Sequence, residues 1–398
     1  MESLRELYKI GRGPSSSHTM GPEKICQEIL NNYQGDFFEV TLYGSLSFTG
    51  LGHLTDKIIR ETLKNANVIF SKELNLEHPN TMDIAIYKDN QIIGKERYYS
   101  IGGGSILRKG DDLKEKPQVY PHKNFQEIKD YCLEKNLRLY EYVYQHEDPG
   151  FKDYLRKIWL QMKETINLGL HQEGYLPGLL EVKRKAKSLL NDQKNKVSIE
   201  LRLLSSYAYA TSEVNASGGT VVTAPTCGAS GVLPSLLYFL RDIRKYSDER
   251  ILDGLATAGI IGNIVKHNAS ISGAEAGCQA EVGTACAMAA AAYSELENGN
   301  LEVIEYAAEI ALEHHLGLTC DPILGYVQIP CIERNAVAAV RAMNAGELAT
   351  LLIDTRLVSF DTVVDAMKET GKDLLDSYRE TSIGGLAKHY KGKNKTSK

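Results

Sequence analysis

The chain's 398 residues are 43% hydrophobic and 24% charged, the make-up of a globular protein long enough to build two cores. A formal net charge of −5 with both signs interspersed excludes the broad electropositive field that nucleic acid demands of a partner. Seven cysteines behind a start with no basic-then-apolar leader point to a reducing, cytoplasmic setting, and the most apolar stretch, Gly283 to Tyr293, is too short to span a membrane.

The first distinctive segment, Gly13 to Pro22, packs Ser15, Ser16, Ser17, His18 and Thr19 into a turn before a helix predicted from Glu23. Hydroxyls, an imidazole and free backbone N–H groups can cradle a carboxylate, and they can equally serve as a long helix N-cap. Glu39 to Gly44 alternates as a strand does, and Thr55 to Lys64 has apolar residues at helical spacing. Between them His53 stands at the glycine-rich corner Gly50-Leu51-Gly52-His53. There an imidazole can face a cleft as a general base, or face solvent beside a helix capped by Thr55 or Asp56. His78, in His78-Pro79-Asn80, has the same two readings.

Met82 to Tyr87 and Gln91 to Ser100 read as a hairpin turning at Lys88-Asp89-Asn90 and ending at Gly102-Gly103-Gly104. Such a glycine triplet is a tight turn or, alternatively, a loop holding the phosphate of a pyridoxal cofactor, although no lysine stands in a typical Schiff-base setting. Tyr120 to Pro149 is the natural joint. Beyond it, helical periodicity runs through Tyr154 to Leu168, Lys196 to Thr211 and Gly231 to Ile243. The division this predicts is an α+β domain over 1–148 and a mainly helical domain over 149–398, with a basic, disordered tail from about 388.

Cys278, Cys320 and Cys331 each lie in a glycine-, proline- or polar-flanked setting, with 41 and 10 residues between them. That spacing matches no zinc ribbon or finger, so a shared metal and three buried free thiols both remain open. Cys26 and Cys286, in helical or alanine-rich surroundings, exemplify free thiols.

Taken together, the segments GPSSSHTMGP (13–22), LYGSLSFTGLGHLTD (42–56), HPNTM (78–82), YYSIGGGSI (98–106), EGYLPGLLEVKRKA (173–186), TAPTCGASG (223–231), NASISGAEAGCQAEVG (268–283) and LEHHLGLTCDPILGYVQIPCIERNA (312–336) resemble the bacterial iron–sulfur L-serine dehydratases along nearly the whole chain. The resemblance implies an α+β domain related to binders of small amino or hydroxy acids, fused to a helical domain carrying a [4Fe–4S] cluster on Cys278, Cys320 and Cys331. It also implies conversion of L-serine to pyruvate and ammonia in serine catabolism and gluconeogenesis, by a homodimer. Some single-chain relatives end in a cysteine-bearing tail, whereas here the last cysteine is Cys331. The corner iron should then carry water, hydroxide or a non-cysteine group.

Expelling water from serine requires loss of an unactivated Cα proton and departure of hydroxide, which a Lewis-acidic iron can assist. A near-neutral base is needed for the proton: His53 first, with His78 and His18 behind it. Ser15, Ser16, Ser17 and Thr19 would position the substrate's carboxylate or ammonium. The alternatives are a pyridoxal-phosphate lyase built on the glycine loop and a non-catalytic amino-acid sensor.

Overall fold

A computed structural model describes residues 1–73, 77–111 and 117–392. In chain order the N-terminal part holds strand β1 (Ile10–Arg12), helix α1 (Gly21–Asn32), β2 (Phe37–Leu42), α2 (Thr55–Leu63), β3 (Ala66–Phe70), β4 (Thr81–Lys88), β5 (Gln91–Gly102) and β6 (Ser105–Arg108). Five strands form one sheet in the order β3-β2-β4-β5-β6, with β2 and β3 parallel and the other pairs antiparallel. The β4–β5 hairpin turns where expected. Asp89 and Asn90 both take positive φ, 49° and 63°, as a two-residue turn matched to strand twist requires, and short polar side chains tolerate this.

Alternation along β2 buries Phe38, Val40 and Leu42, and these pack with Ile84 and Ile86 of β4 against Ile25 and Ile29 of α1 and Ile58 and Ile59 of α2. The sheet therefore has one covered face. On β4 and β5, Asp83 pairs with Arg97 at 2.6 Å across the strands, on the side away from that core.

β1 does not join this sheet. It pairs antiparallel with β7 (Thr220–Val222), and the residues before it, Leu4, Leu7 and Tyr8, are buried in the helical core, where the Tyr8 hydroxyl donates to the Leu255 carbonyl at 2.9 Å. Helices α3 (Phe125–Lys135) and α4 (Leu139–His146), in the segment read as a joint, belong to the same core through Phe125, Ile128, Tyr142 and Val143. Packing thus divides the chain differently from the expected cut at 148: the helical body takes both the first dozen residues and those from about 118 onward.

The helical body continues with α5 (Phe151–His171), α6 (Ile199–Ala216), α7 (Val232–Ile243), α8 (Asp248–Asn268), α9 (Thr284–Leu296), α10 (Leu301–Glu313), α11 (Cys331–Leu352) and α12 (Phe360–Asp373). α9 is central, with every residue buried, and α7, α8, α10 and α11 pack around it. Its alanines explain this: they favour the helix and let four neighbours approach closely. Among the described residues α11, with the short turn after it, is the one helix long and apolar enough to cross a membrane. Its Ala338, Ala339, Ala342 and Ala345 are buried against its neighbours, the pattern of a core helix. Of the expected tail, Lys388 and His389 end a short helix, and residues beyond 392 lie outside the described ones.

Two glycines bring the halves together. A Cβ on Gly52 would sit 2.4 Å from the carbonyl carbon of Gly325, so the corner carrying His53 lies backbone against backbone on the helical half. A Cβ on Gly13 would sit 2.0 Å from Oδ1 of Asn215, whose Nδ2 donates to the Pro14 carbonyl at 3.0 Å.

Candidate functional site

The hydroxyl-rich segment folds as a turn, Ser16–Met20, capped by the Ser15 hydroxyl, which accepts from the His18 N–H at 3.1 Å. It leads into α1, so capping and site-building coincide. Ser15, Ser16, Ser17, His18 and Thr19 are all buried. Thr19 Oγ1 accepts from the Ser15 N–H at 3.2 Å and donates to the His53 carbonyl at 2.8 Å, while Thr55 Oγ1 donates to the His18 carbonyl at 2.7 Å. Each histidine's backbone is thus held by a hydroxyl from the other's loop.

The two imidazoles stack, with centroids 4.5 Å apart and planes 24° from parallel. His18 is engaged at both nitrogens, Nδ1 with Ser17 Oγ and Nε2 with Ser45 Oγ, each at 2.9 Å. His53 is engaged at one. Its Nδ1 lies 2.9 Å from the Thr49 carbonyl, which can only accept, so Nδ1 carries the hydrogen and Nε2 is the basic nitrogen of the neutral ring. That Nε2 is buried without an aligned hydrogen-bond partner, 3.3 Å from Oε1 of Glu380 but off the line of a hydrogen bond.

The helical half supplies the thiols. Cys278 follows Gly277, whose φ of +73° turns the chain into the segment before α9; Cys320 lies in a loop; Cys331 opens α11. All three line one pocket with His53, Ser15, Glu281 and Glu380. The ligand atoms of Cys278, Glu281 and Cys320 lie within 4.8 Å of one another, as do those of His18, His53 and Glu380. Cys320 is pinned to the C-terminal segment: its N–H donates to the Tyr378 carbonyl at 2.8 Å, and its carbonyl accepts from the Glu380 N–H at 2.9 Å. Arg334 donates to the Thr319 carbonyl at 2.6 Å and to Asp321 at 2.9 Å.

A hydrogen bond with Cys320, reinforced by Arg334, lowers the Cys278 thiol, while the same bond and burial push Cys320 up and burial pushes Cys331 up. Burial drives the Glu281 carboxyl well above the usual range, with Glu380 and Cys278 adding to it. Burial acts to raise Glu380 too, but His18 and His53 outweigh it and the carboxyl is lowered. As donors, three soft thiols gathered in one pocket suit iron–sulfur ligation, and the described residues bring no fourth cysteine to it.

Burial lowers His18 to about 4, against a partial upward pull from Glu380. An unfolded histidine titrates near 6.5, so between these values the unfolded chain binds a proton that the native one refuses. The stability contributed is complete above pH 6.5 and is lost as pH falls toward 4, amounting to roughly 3 kcal/mol. His18→Asn should therefore flatten the decline of the urea midpoint between pH 6.5 and 4.5. An unchanged decline would show that His18 is not its source.

His78 stands apart from the pocket: its Nδ1 accepts from the Asn80 N–H at 3.0 Å and its ring lies against Tyr99. Gly102 and Gly103 of the triplet line a separate cavity of about 650 Å³ that shares no lining residue with the thiol pocket. Lys266 at that cavity is held by Glu2 at 2.7 Å, an ion pair unlike a free Schiff-base amine. Sequence reasoning missed Glu281, Arg334, Ser45 and Glu380. Two had a signal, since Glu281 and Arg334 each follow a candidate cysteine by three residues.

The sequence profile of the family "Serine dehydratase alpha chain" matches residues 121–387, and that of "Serine dehydratase beta chain" matches 3–69 and 61–111. The L-serine dehydratase of Haemophilus influenzae is 40% identical over 450 aligned residues, taking in 97% of this chain and 99% of that protein. L-serine dehydratase 1 of Escherichia coli is 39% identical over 452, with the same shares. The L-serine dehydratase of Helicobacter pylori is 36% identical over 451, covering 98% and 99%.

Proposed function

The chain belongs to the L-serine dehydratase family, in the form that joins beta-chain and alpha-chain regions in one polypeptide, and from this premise we propose that it converts L-serine to pyruvate and ammonia at a [4Fe–4S] cluster on Cys278, Cys320 and Cys331. The observation that carries the reading is the meeting of those thiols with the unpartnered Nε2 of His53 in one pocket. When bound, the cluster would supply an iron that the three cysteines leave one ligand short, a Lewis acid for the departing hydroxyl.

His53 takes the Cα proton at Nε2. The Thr49 carbonyl keeps the opposite nitrogen protonated, so the ring presents its lone pair to the pocket and needs no tautomer change before it acts. Once protonated, the ring has the Glu380 carboxylate 3.3 Å away to stabilise the imidazolium. His18, neutral and hydrogen-bonded on both sides, serves as a wall that holds His53 in plane rather than as a second base. Ser15 faces the same pocket, and Ser17 and Thr19 hold the turn that presents it, the arrangement expected for positioning a substrate carboxylate or ammonium. Loss of the proton and hydroxide leaves an aminoacrylate, which tautomerises and hydrolyses in water to pyruvate and ammonia. The corresponding setting is cytoplasmic serine catabolism, feeding pyruvate to gluconeogenesis, with the enzyme as a homodimer.

Protein reconstituted anaerobically with iron and sulfide should turn brown, bind about four irons per chain and release pyruvate from L-serine. Brown, iron-replete protein that makes no pyruvate would defeat the proposal.

A further inference from the structure

We infer that the carboxylate of Glu281 is a fourth protein ligand of the metal centre, closing at rest the corner that the three cysteines leave. The inference rests on the cluster reading above.

The geometry separates the pocket's two carboxylates. Glu380 groups with His18 and His53, whereas the Glu281 oxygen groups with the sulfurs of Cys278 and Cys320, 3.9 Å from the latter. Glu281 is also confined there. Its Oε1 accepts from Thr226 Oγ1 at 2.7 Å, leaving Oε2 toward the thiols. Two glycines bound the carboxylate: a Cβ on Gly273 would lie 2.5 Å from Oε2, and one on Gly228 would lie 3.1 Å from Oε1. Any side chain at Gly273 would push the carboxylate off the sulfurs.

Charge balance points the same way. Among the described residues no lysine, arginine or histidine forms an ion pair with Glu281; the nearby guanidinium of Arg334 pairs with Asp321, donates to the Thr319 carbonyl and also acts on the Cys278 thiol. A carboxylate enclosed among thiols and a second carboxylate is costly unless a proton or a cation joins it, and a metal held by the neighbouring thiols would be such a cation. Among the described residues no fourth cysteine lines the pocket to take the place. A carboxylate oxygen is also a harder donor than thiolate and so a weaker partner for a cluster iron, and an incoming substrate oxygen can displace it. Thr226 would keep the displaced side chain in the pocket.

The test uses the full chain, reconstituted anaerobically with iron and sulfide and kept free of serine. In ¹⁷O-enriched water the EPR signal of the one-electron-reduced cluster should show no broadening from a bound water oxygen. Broadening would overturn the inference without any variant being made. With ferricyanide as oxidant, a [4Fe–4S]²⁺ cluster gives up one electron and then one Fe²⁺, leaving [3Fe–4S]⁺, whose EPR signal times the loss. Glu281→Gln should load with about four irons and then lose the corner iron about tenfold faster than the unmodified protein, with Glu281→Asp nearer the latter. Equal rates would overturn the role of Glu281 and leave the three-cysteine cluster standing. Failure of the unmodified protein to take up iron would instead defeat the cluster reading itself.

Discussion

Cys320→Ser is expected to yield a folded chain that stays colourless after anaerobic reconstitution and forms no measurable pyruvate. The contacts that place residue 320 are made by its backbone, with the Tyr378 carbonyl and the Glu380 N–H, so replacing sulfur by oxygen leaves the local loop intact. What is lost is one of three thiolates, and the hard hydroxyl of serine is a poor substitute for a soft ligand. If the iron supplies several kcal/mol of stabilisation to the departing hydroxyl, its loss costs about a thousandfold or more in rate. Iron analysis and visible absorption read the first effect, a pyruvate assay the second, and far-UV circular dichroism checks the fold. Colour that survived the substitution would remove Cys320 from the ligand set.

His53→Ala should produce the opposite combination: full iron content and colour with turnover lower by about 10²–10⁴, the usual contribution of a placed general base. The separation is possible because His53 meets the site from the α+β half, while the three thiols come from the helical half. The candidates are unequal in the structure. His18 has both nitrogens occupied, His78 lies outside the pocket, and His53 alone of the three lines the pocket with the thiols, its buried Nε2 without a hydrogen-bond partner. Activity within a few-fold of the unmodified protein would move the base role to another group.

Much of the secondary structure is legible because its causes are local. The β4–β5 hairpin follows from alternation broken at Asp89-Asn90, and α5 and α7 follow from apolar periodicity over two or more turns. The first eight residues are harder: Leu4, Leu7 and Tyr8 announce burial, but three apolar side chains cannot say which of two cores receives them. The cysteines show a similar limit. Spacings of 41 and 10 residues do not decide between metal and free thiol, because their meeting depends on how α9 and α11 pack, and only likeness to a family singled them out. Glu380 was invisible for a further reason. It sits at positive φ in an irregular segment, with no periodicity to mark it, and its importance lies wholly in what it lies beside.

The crossed hydroxyl contacts between the two histidine loops, Thr19 to the His53 carbonyl and Thr55 to the His18 carbonyl, make those loops one mechanical part. A chimera of two relatives with its breakpoint between residues 20 and 48 would pair halves of a latch cut for different partners. A breakpoint after residue 70 passes the latch on whole. For anyone shuffling members of this family, the unit of inheritance is therefore the span containing both loops, even though sequence motifs present them as two.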